Sequence, residues 1–269
     1  MKPTDVRDLP KHDYHMHTKY LGCANTTMEV PAMFAECARI GVTSLGITDH
    51  LNTVDKLPLH QPIRKDIRAT ETSIAVYFGV ELNFTGCDQD FAYSKEIRDE
   101  LGFQFAIGGI HGTYLDEYDL TKIIDIQHRH HLATCAHPLV DVLVHPYWFG
   151  KGEFDNKGWQ WFDSMKPVPA SYARELGKAA KESGTAIEIN GCANLDSPAY
   201  SKQYVEEYVE YLALVAEEGP MFSTGSDAHD INRLEAVQSA WDVAARIGLT
   251  ADRIWQPTGT PYSQMRTAK

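Results

Sequence analysis

Short β-branched or apolar runs alternate with longer amphipathic segments along almost the whole chain, and that alternation constrains the fold more than any single motif does. Strand-like runs occupy residues 14–16, 44–48, 74–81, 103–111, 140–145, 186–190 and 221–225. Between and after them, residues 30–41, 62–72, 120–132, 171–183, 203–218 and 232–247 read as helices. The first of these has Pro31 in its opening turn and ends at Gly41, and the last two stop at Gly219 and Gly248. Seven strands interleaved with helices predict an α/β architecture with a parallel sheet. At 269 residues a single domain spanning 1–269 is expected, because α/β barrels reach this size as one unit.

Whether that sheet is open or closed follows from where the chemistry-bearing residues fall. An open parallel sheet gathers ligands at one switch point between particular strands. A closed barrel gathers them at the C-terminal ends of all its strands. Here the first run carries His15 and His17, two residues apart, which on a strand point the same way. The second ends Thr48-Asp49-His50, with His50 a ligand candidate and Asp49 able to orient an imidazole. The third delivers Glu81 after an apolar run, either to an outer polar ring or to the barrel mouth, where a carboxylate can bridge two cations. The fourth and fifth end at His111 and His145. Each of these alone reads as a hydrogen-bonded core histidine, since burying one unpaired is costly. The seventh is followed by Asp227 and His229, which repeat the spacing of His15 and His17. Ligand types at six or seven strand ends select the closed barrel.

The eight residues His15, His17, His50, Glu81, His111, His145, Asp227 and His229 offer imidazole and carboxylate donors, a mixture suited to Zn, Mn or Fe. Eight donors exceed one tetrahedral site, so two or three divalent metal ions are expected. Glu188 and Asn190, ending the sixth strand, face the same mouth and serve either the site or packing. Lys19 and Arg64 are plausible phosphate contacts. His128, His130 and His131 fall on a helix and are expected to be solvated, while His137-Pro138 is expected in a loop. Residues 51–68 and 148–169, rich in aromatics and proline, are expected to cover the mouth.

Composition excludes several other classes. A net charge of −12 with no Lys/Arg-rich block argues against nucleic-acid and anionic-membrane partners. The five cysteines, Cys23, Cys37, Cys87, Cys135 and Cys192, are odd in number and form no CxxC pair, which fits reduced thiols. The stretch MKPTDVRDLPKHD lacks the apolar segment of a signal peptide, and no apolar run reaches membrane-spanning length. A cytoplasmic protein is the expectation.

The ordered set His15-Met16-His17-Thr18, Thr48-Asp49-His50, Glu81, His111, His145-Pro146 and Ser226-Asp227-Ala228-His229 resembles the successive motifs of the PHP (polymerase and histidinol phosphatase) family, over residues 13–229. The resemblance implies a distorted (β/α)7 TIM-like barrel and a trinuclear metal site working in phosphoester hydrolysis. Carried over by position, it implies that His15, His17, Glu81 and Asp227 bind one metal. Glu81 would bridge to a second held by His111 and His145, with His50 and His229 on a third. Many members have a further histidine six residues after the second motif histidine, and this chain has Cys23 there. A thiolate also ligates zinc, so the third metal is either retained with altered character or lost.

The expected activity is hydrolysis of a phosphomonoester on a small phosphorylated metabolite, histidinol-phosphatase-like, by a metal-bridging hydroxide. Asp227 or His229 would shuttle the leaving-group proton. A metal-dependent amidohydrolase or nuclease on the same barrel and a non-catalytic metal-binding module are the alternatives. No lysine stands at a strand end as a bridging group for the first.

Overall fold

In this computed structural model, residues 2–84 and 90–265 are described; Cys87 lies outside them. The elements in chain order are β1 (His12–Asp13), α1 (Val30–Ile40), β2 (Ser44–Ile47), β3 (His50–Leu51), α2 (His60–Ala69), β4 (Ala75–Asn83), α3 (Lys95–Leu101) and β5 (Phe105–Gly109). They continue with α4 (Leu120–Ala136), β6 (Val142–Leu143), α5 (Lys151–Lys157), α6 (Ala170–Ser183), β7 (Ala186–Asn190), α7 (Lys202–Glu217), β8 (Phe222–Gly225) and α8 (Val237–Arg246). All pairings between strands are parallel, in the order β1-β2-β4-β5-β6-β7-β8, and β3 extends the β2 side by pairing with β4. The first and last strands meet: Tyr14 N–H donates to Thr224 O at 3.0 Å, Asp227 N–H to His15 O at 2.7 Å, and Met16 bridges Ala228. Among the described residues the wall is therefore a nearly closed barrel of seven parallel strands with helices around it, the distorted (β/α)7 form expected.

Side-chain alternation along β4 shows how the wall is built. Val76, Phe78, Val80 and Leu82 pack outward against the helices, while Tyr77 points inward. Inside, Tyr14, Tyr77, Phe105, Ile107, Val142, Val144 and Ala186 fill the lower barrel. The Phe105 ring lies so close to Gly46 and Gly79 that a Cβ at Gly79 would stand 2.5 Å from it. With the lower interior plugged, polar groups have room only at the C-terminal mouth.

Several boundaries differ from the sequence reading. Regular pairing of the first strand covers His12–Asp13 rather than 14–16. Tyr14 packs inside the barrel and His15 also turns inward, and consecutive inward residues cannot sit on a regular pleat. Helix 232–247 is a 3-10 turn, Ile231–Ala236, followed by α8. β3, α3 and α5 were not expected, being too short to show a period. Residues 51–68 form β3's end, a 3-10 turn (Val54–Leu59) and most of α2. No helix of the described residues is long and apolar enough to cross a membrane.

Candidate metal centre

Each donor reaches the mouth from the end of its own strand. Glu81 sits near the end of β4, paired in register with His50 of β3. His111 follows β5 by two residues and so keeps the inward parity of Phe105 and Ile107. His145 follows Val144, which already faces inward, and its backbone bends to φ 27° to turn the imidazole in as well. Asp227 likewise takes φ 55°. Such left-handed backbone costs on the order of 1–3 kcal/mol per non-glycine residue. It is held here by His145 N–H donating to Glu188 Oε2 at 2.8 Å and Asp227 N–H donating to His15 O.

The first donor group is His15 Nε2, His17 Nε2, Asp227 Oδ1 and Glu81 Oε2. The two ring nitrogens stand 3.1 Å apart. Asp227 Oδ1 is 3.3 Å from His15 Nε2 and 3.2 Å from His17 Nε2; Glu81 Oε2 is 3.3 and 3.4 Å from the same atoms. Donors at about 2.0–2.1 Å from a tetrahedral ion stand about 3.3–3.4 Å apart, so these edges match a metal-sized gap. The second group takes the other oxygen of the same carboxylate. Glu81 Oε1 is 2.9 Å from His111 Nε2 and 3.3 Å from His145 Nε2, and those nitrogens are 3.2 Å apart. Three protein donors with a fourth position left over is the usual form of a catalytic metal site. The residues fit divalent ions by both spacing and donor chemistry.

A third group stands on the outer side. One donor atom each from His17, Cys23, His50 and His229 lie within 4.8 Å of one another. The His17 ring lies 4.5 Å from that of His50 and 4.2 Å from that of His229 between centroids, and those two rings are themselves 6.1 Å apart. His50 Nδ1 also stands 2.7 Å from Glu81 Oε2.

Electrostatics marks the centre as a cation trap. Burial opposes a charged ring at His15, but Asp227, Glu188 and Glu81 overcome it and raise that imidazole well above its ordinary value. Burial and the neighbouring His50 push His17 down to about 3. Burial also opposes ionisation of Glu81, yet His50, His15 and His111 hold it well below the usual carboxylate range. A largely buried site with this much carboxylate favours bound positive charge.

Outer partners aim the donors. Glu188 Oε1 accepts from His15 Nδ1 at 2.7 Å, which turns Nε2 toward the first group. Asn190 Nδ2 donates to Glu188 Oε2 at 2.9 Å and to Asp227 Oδ2 at 3.2 Å. Asp13 Oδ1 accepts from Ser226 N–H at 2.9 Å, tying the first strand's end to the last. Glu188 and Asn190 thus resolve to the site rather than to packing alone. The holding role of Asp13 had no signal in the sequence beyond its place beside the first motif. Trp148, the first residue of the segment expected to cover the mouth, does lie against the site: its ring is 5.8 Å from His111 and 5.3 Å from His145.

Other expectations are corrected. His128, His130 and His131 are buried, not solvated. α4 is covered on most sides: His128 stacks on Tyr172 of α6 at 3.8 Å and meets Glu175 at 3.0 Å, His130 packs on Phe84, and His131 on Tyr147. Lys19 pairs with Glu29 at 2.6 Å, and Arg64 donates to Leu101 O at 3.2 Å, so both are engaged elsewhere. His137 caps the C-terminal end of α4, in the loop expected.

The sequence model of the PHP domain matches residues 13–192. No curated protein sequence matches this chain. Among solved structures, the histidinol phosphate phosphatase of Lactococcus lactis subsp. lactis Il1403, complexed with zinc, L-histidinol and phosphate, superposes with a TM-score of 0.60. It is 17% identical, over 90% of this chain and 95% of that one. A putative histidinol phosphatase from Listeria monocytogenes gives 0.55 at 14% identity, over 83% of this chain and 97% of that one.

Proposed function

Since the chain belongs to the PHP domain family, we propose that it is a metal-dependent phosphoesterase that releases phosphate from a small phosphomonoester in a histidinol-phosphatase-like reaction. The observation that carries this reading is Glu81, whose two oxygens face two separate donor groups, with His15, His17 and Asp227 on one side and His111 and His145 on the other. Paired ions bound there would acidify a water molecule and offset charge on the phosphoryl oxygens.

The protein's own groups do the rest. Glu188 and Asn190 keep His15, His145 and Asp227 in place, so the donor geometry is set before substrate arrives. Asp227, with Oδ1 in the first group and Oδ2 held by Asn190, would carry the proton passed to the leaving group. His229, its side chain 38% exposed at the rim, is the second candidate carrier. Trp148 offers an apolar wall beside the second group, against which the organic part of an ester would rest.

The test is phosphate release from a panel of phosphomonoesters by chelator-treated protein reloaded with Zn²⁺ or Mn²⁺, with His17→Ala alongside. Release that requires the ion and fails in the variant supports the proposal. No release from protein of confirmed multi-ion content overturns it and moves the reading to diesters or amides.

A further inference from the structure

The loop after the first strand brings a sulfur atom to the rim of the donor cluster, and its anchoring goes beyond what the motif spacing requires. Thr18 caps a 3-10 turn, Lys19–Leu21, by accepting from Tyr20 N–H, and Gly22 then takes φ 79° and reverses the chain just before Cys23. A residue with a Cβ is strained in that left-handed conformation. On the near side of Cys23, Thr18 N–H and Oγ1 donate to the Asp49 carboxylate at 3.1 and 3.0 Å, directly beside His50. On the far side, Asn25 N–H donates to His229 O at 2.7 Å, and Asn25 Nδ2 to Asp230 Oδ2 at 2.9 Å. The segment is therefore tied on either side of its cysteine to the two segments that carry His50 and His229.

Three imidazoles and one sulfur converge within 4.8 Å. His17 is fully buried with its Nε2 committed to the first donor group, and His50 meets Glu81 through Nδ1, so the donors left for a separate ion are Cys23, His229 and the Nε2 of His50. The spacing is wider than in a closed zinc site. Cys23 is exposed and His229 partly so, which lets side-chain rotation close the difference. Among the described residues Cys37 and Cys135 are buried and Cys192 half-buried, and none of these joins a donor group.

We propose that Cys23, as its thiolate, binds a third ion together with His50 and His229, making a sulfur-bearing centre beside two centres built only of nitrogen and oxygen donors. Ligation exchanges the S–H proton for the ion and releases that proton to solvent, with no oxidant or reductant required. A thiolate with two imidazoles favours zinc and similar thiophilic ions over manganese or magnesium. The third ion is accordingly distinct in metal preference from the pair bridged by Glu81, and its ligation of His229 leaves Asp227 as the proton carrier. The inference rests on the metal-dependent reading of the same site.

Metal-depleted full-length protein titrated with Co²⁺ tests it. Wild-type protein is expected to show a sulfur-to-cobalt charge-transfer absorption in the near ultraviolet. Cys23→Ser is expected to lose that band together with one bound ion, while Cys23→His keeps the ion without the band. A band that persists in Cys23→Ser, or equal ion content in that variant and wild type, overturns the proposal. Alkylation of wild-type protein, mapped by mass spectrometry, needs no variant to fold: bound Zn²⁺ should protect Cys23, and equal labelling with and without Zn²⁺ overturns the ligation. Phosphate release is read in the same wild-type samples. Release without the band sinks the thiolate alone, and the band without release sinks the hydrolase reading alone.

Discussion

His15 Nδ1 and Glu188 Oε1 stand 2.7 Å apart with both side chains almost fully buried, and the second oxygen of Glu188 accepts the backbone N–H of His145 at 2.8 Å. One carboxylate from β7 therefore sets the tautomer of a donor in the first group and the backbone bend of a donor in the second. A carboxylate can only accept here, so Nδ1 carries a proton and Nε2 is the atom that would meet an ion, which displaces the second proton of the charged ring.

Glu188→Gln is expected to weaken ion binding by roughly 10–100-fold, the usual cost of losing an outer partner of a ligand. Competition against a chromophoric chelator reads this directly. Unchanged affinity would mean that Glu188 only fills space.

Glu81→Gln is expected to cost more than that, because the amide cannot offer an anionic oxygen to each donor group. Its metal content should fall by at least one ion relative to wild type, measured by plasma mass spectrometry after gel filtration. Activity should fall further than the roughly 10–100-fold of an outer-partner variant. Full ion content in Glu81→Gln would contradict the bridging role.

Gly225→Ala tests close approach rather than charge. A Cβ there would overlap Glu188 Oε1 and lie 2.5 Å from the His15 Cβ. Overpacking of this kind costs about 1–3 kcal/mol, and the shift it forces on the Glu188–His15 pair should weaken ion binding too. Denaturant melts of the metal-free variant and ion titrations of the folded protein separate the two effects.

The metal-free protein should lose stability in mild acid. Burial outweighs a hydrogen bond to the Trp255 backbone and lowers His12 from 6.5 to about 4. Because the folded-state value is depressed, the unfolded chain binds the extra proton first. The contribution is fully present above pH 6.5 and is lost as pH falls toward about 4. The full loss is on the order of 3 kcal/mol. Melting temperatures between pH 7 and 4.5 should show a shallower decline for His12→Leu than for wild type, and parallel curves would refute the assignment.

Much of the architecture was legible because it rests on local pattern. The continuous apolar run of β4 and helix α1, with Pro31 in its first turn and Gly41 at its end, need no partner to be recognised. β3 was not, being a two-residue strand, and neither were α3 and α5, because a helix of seven residues makes under two turns and carries no readable period. The histidines of α4 were misjudged for a related reason. A polar residue on a helix is solvated by default, and only the packing of α6 and Tyr147 against that face buries them.

By itself the sequence determined the barrel class, the family and the set of residue types at the strand ends, since strand alternation and donor chemistry are properties of neighbours along the chain. Tertiary structure alone decided how those donors divide: which oxygen of Glu81 meets which imidazoles, that Glu188 holds two groups at once, and that Cys23 reaches His50 and His229. Those are distances between residues up to 212 positions apart, from His15 to Asp227, and they exist only once the first and last strands have closed the wall.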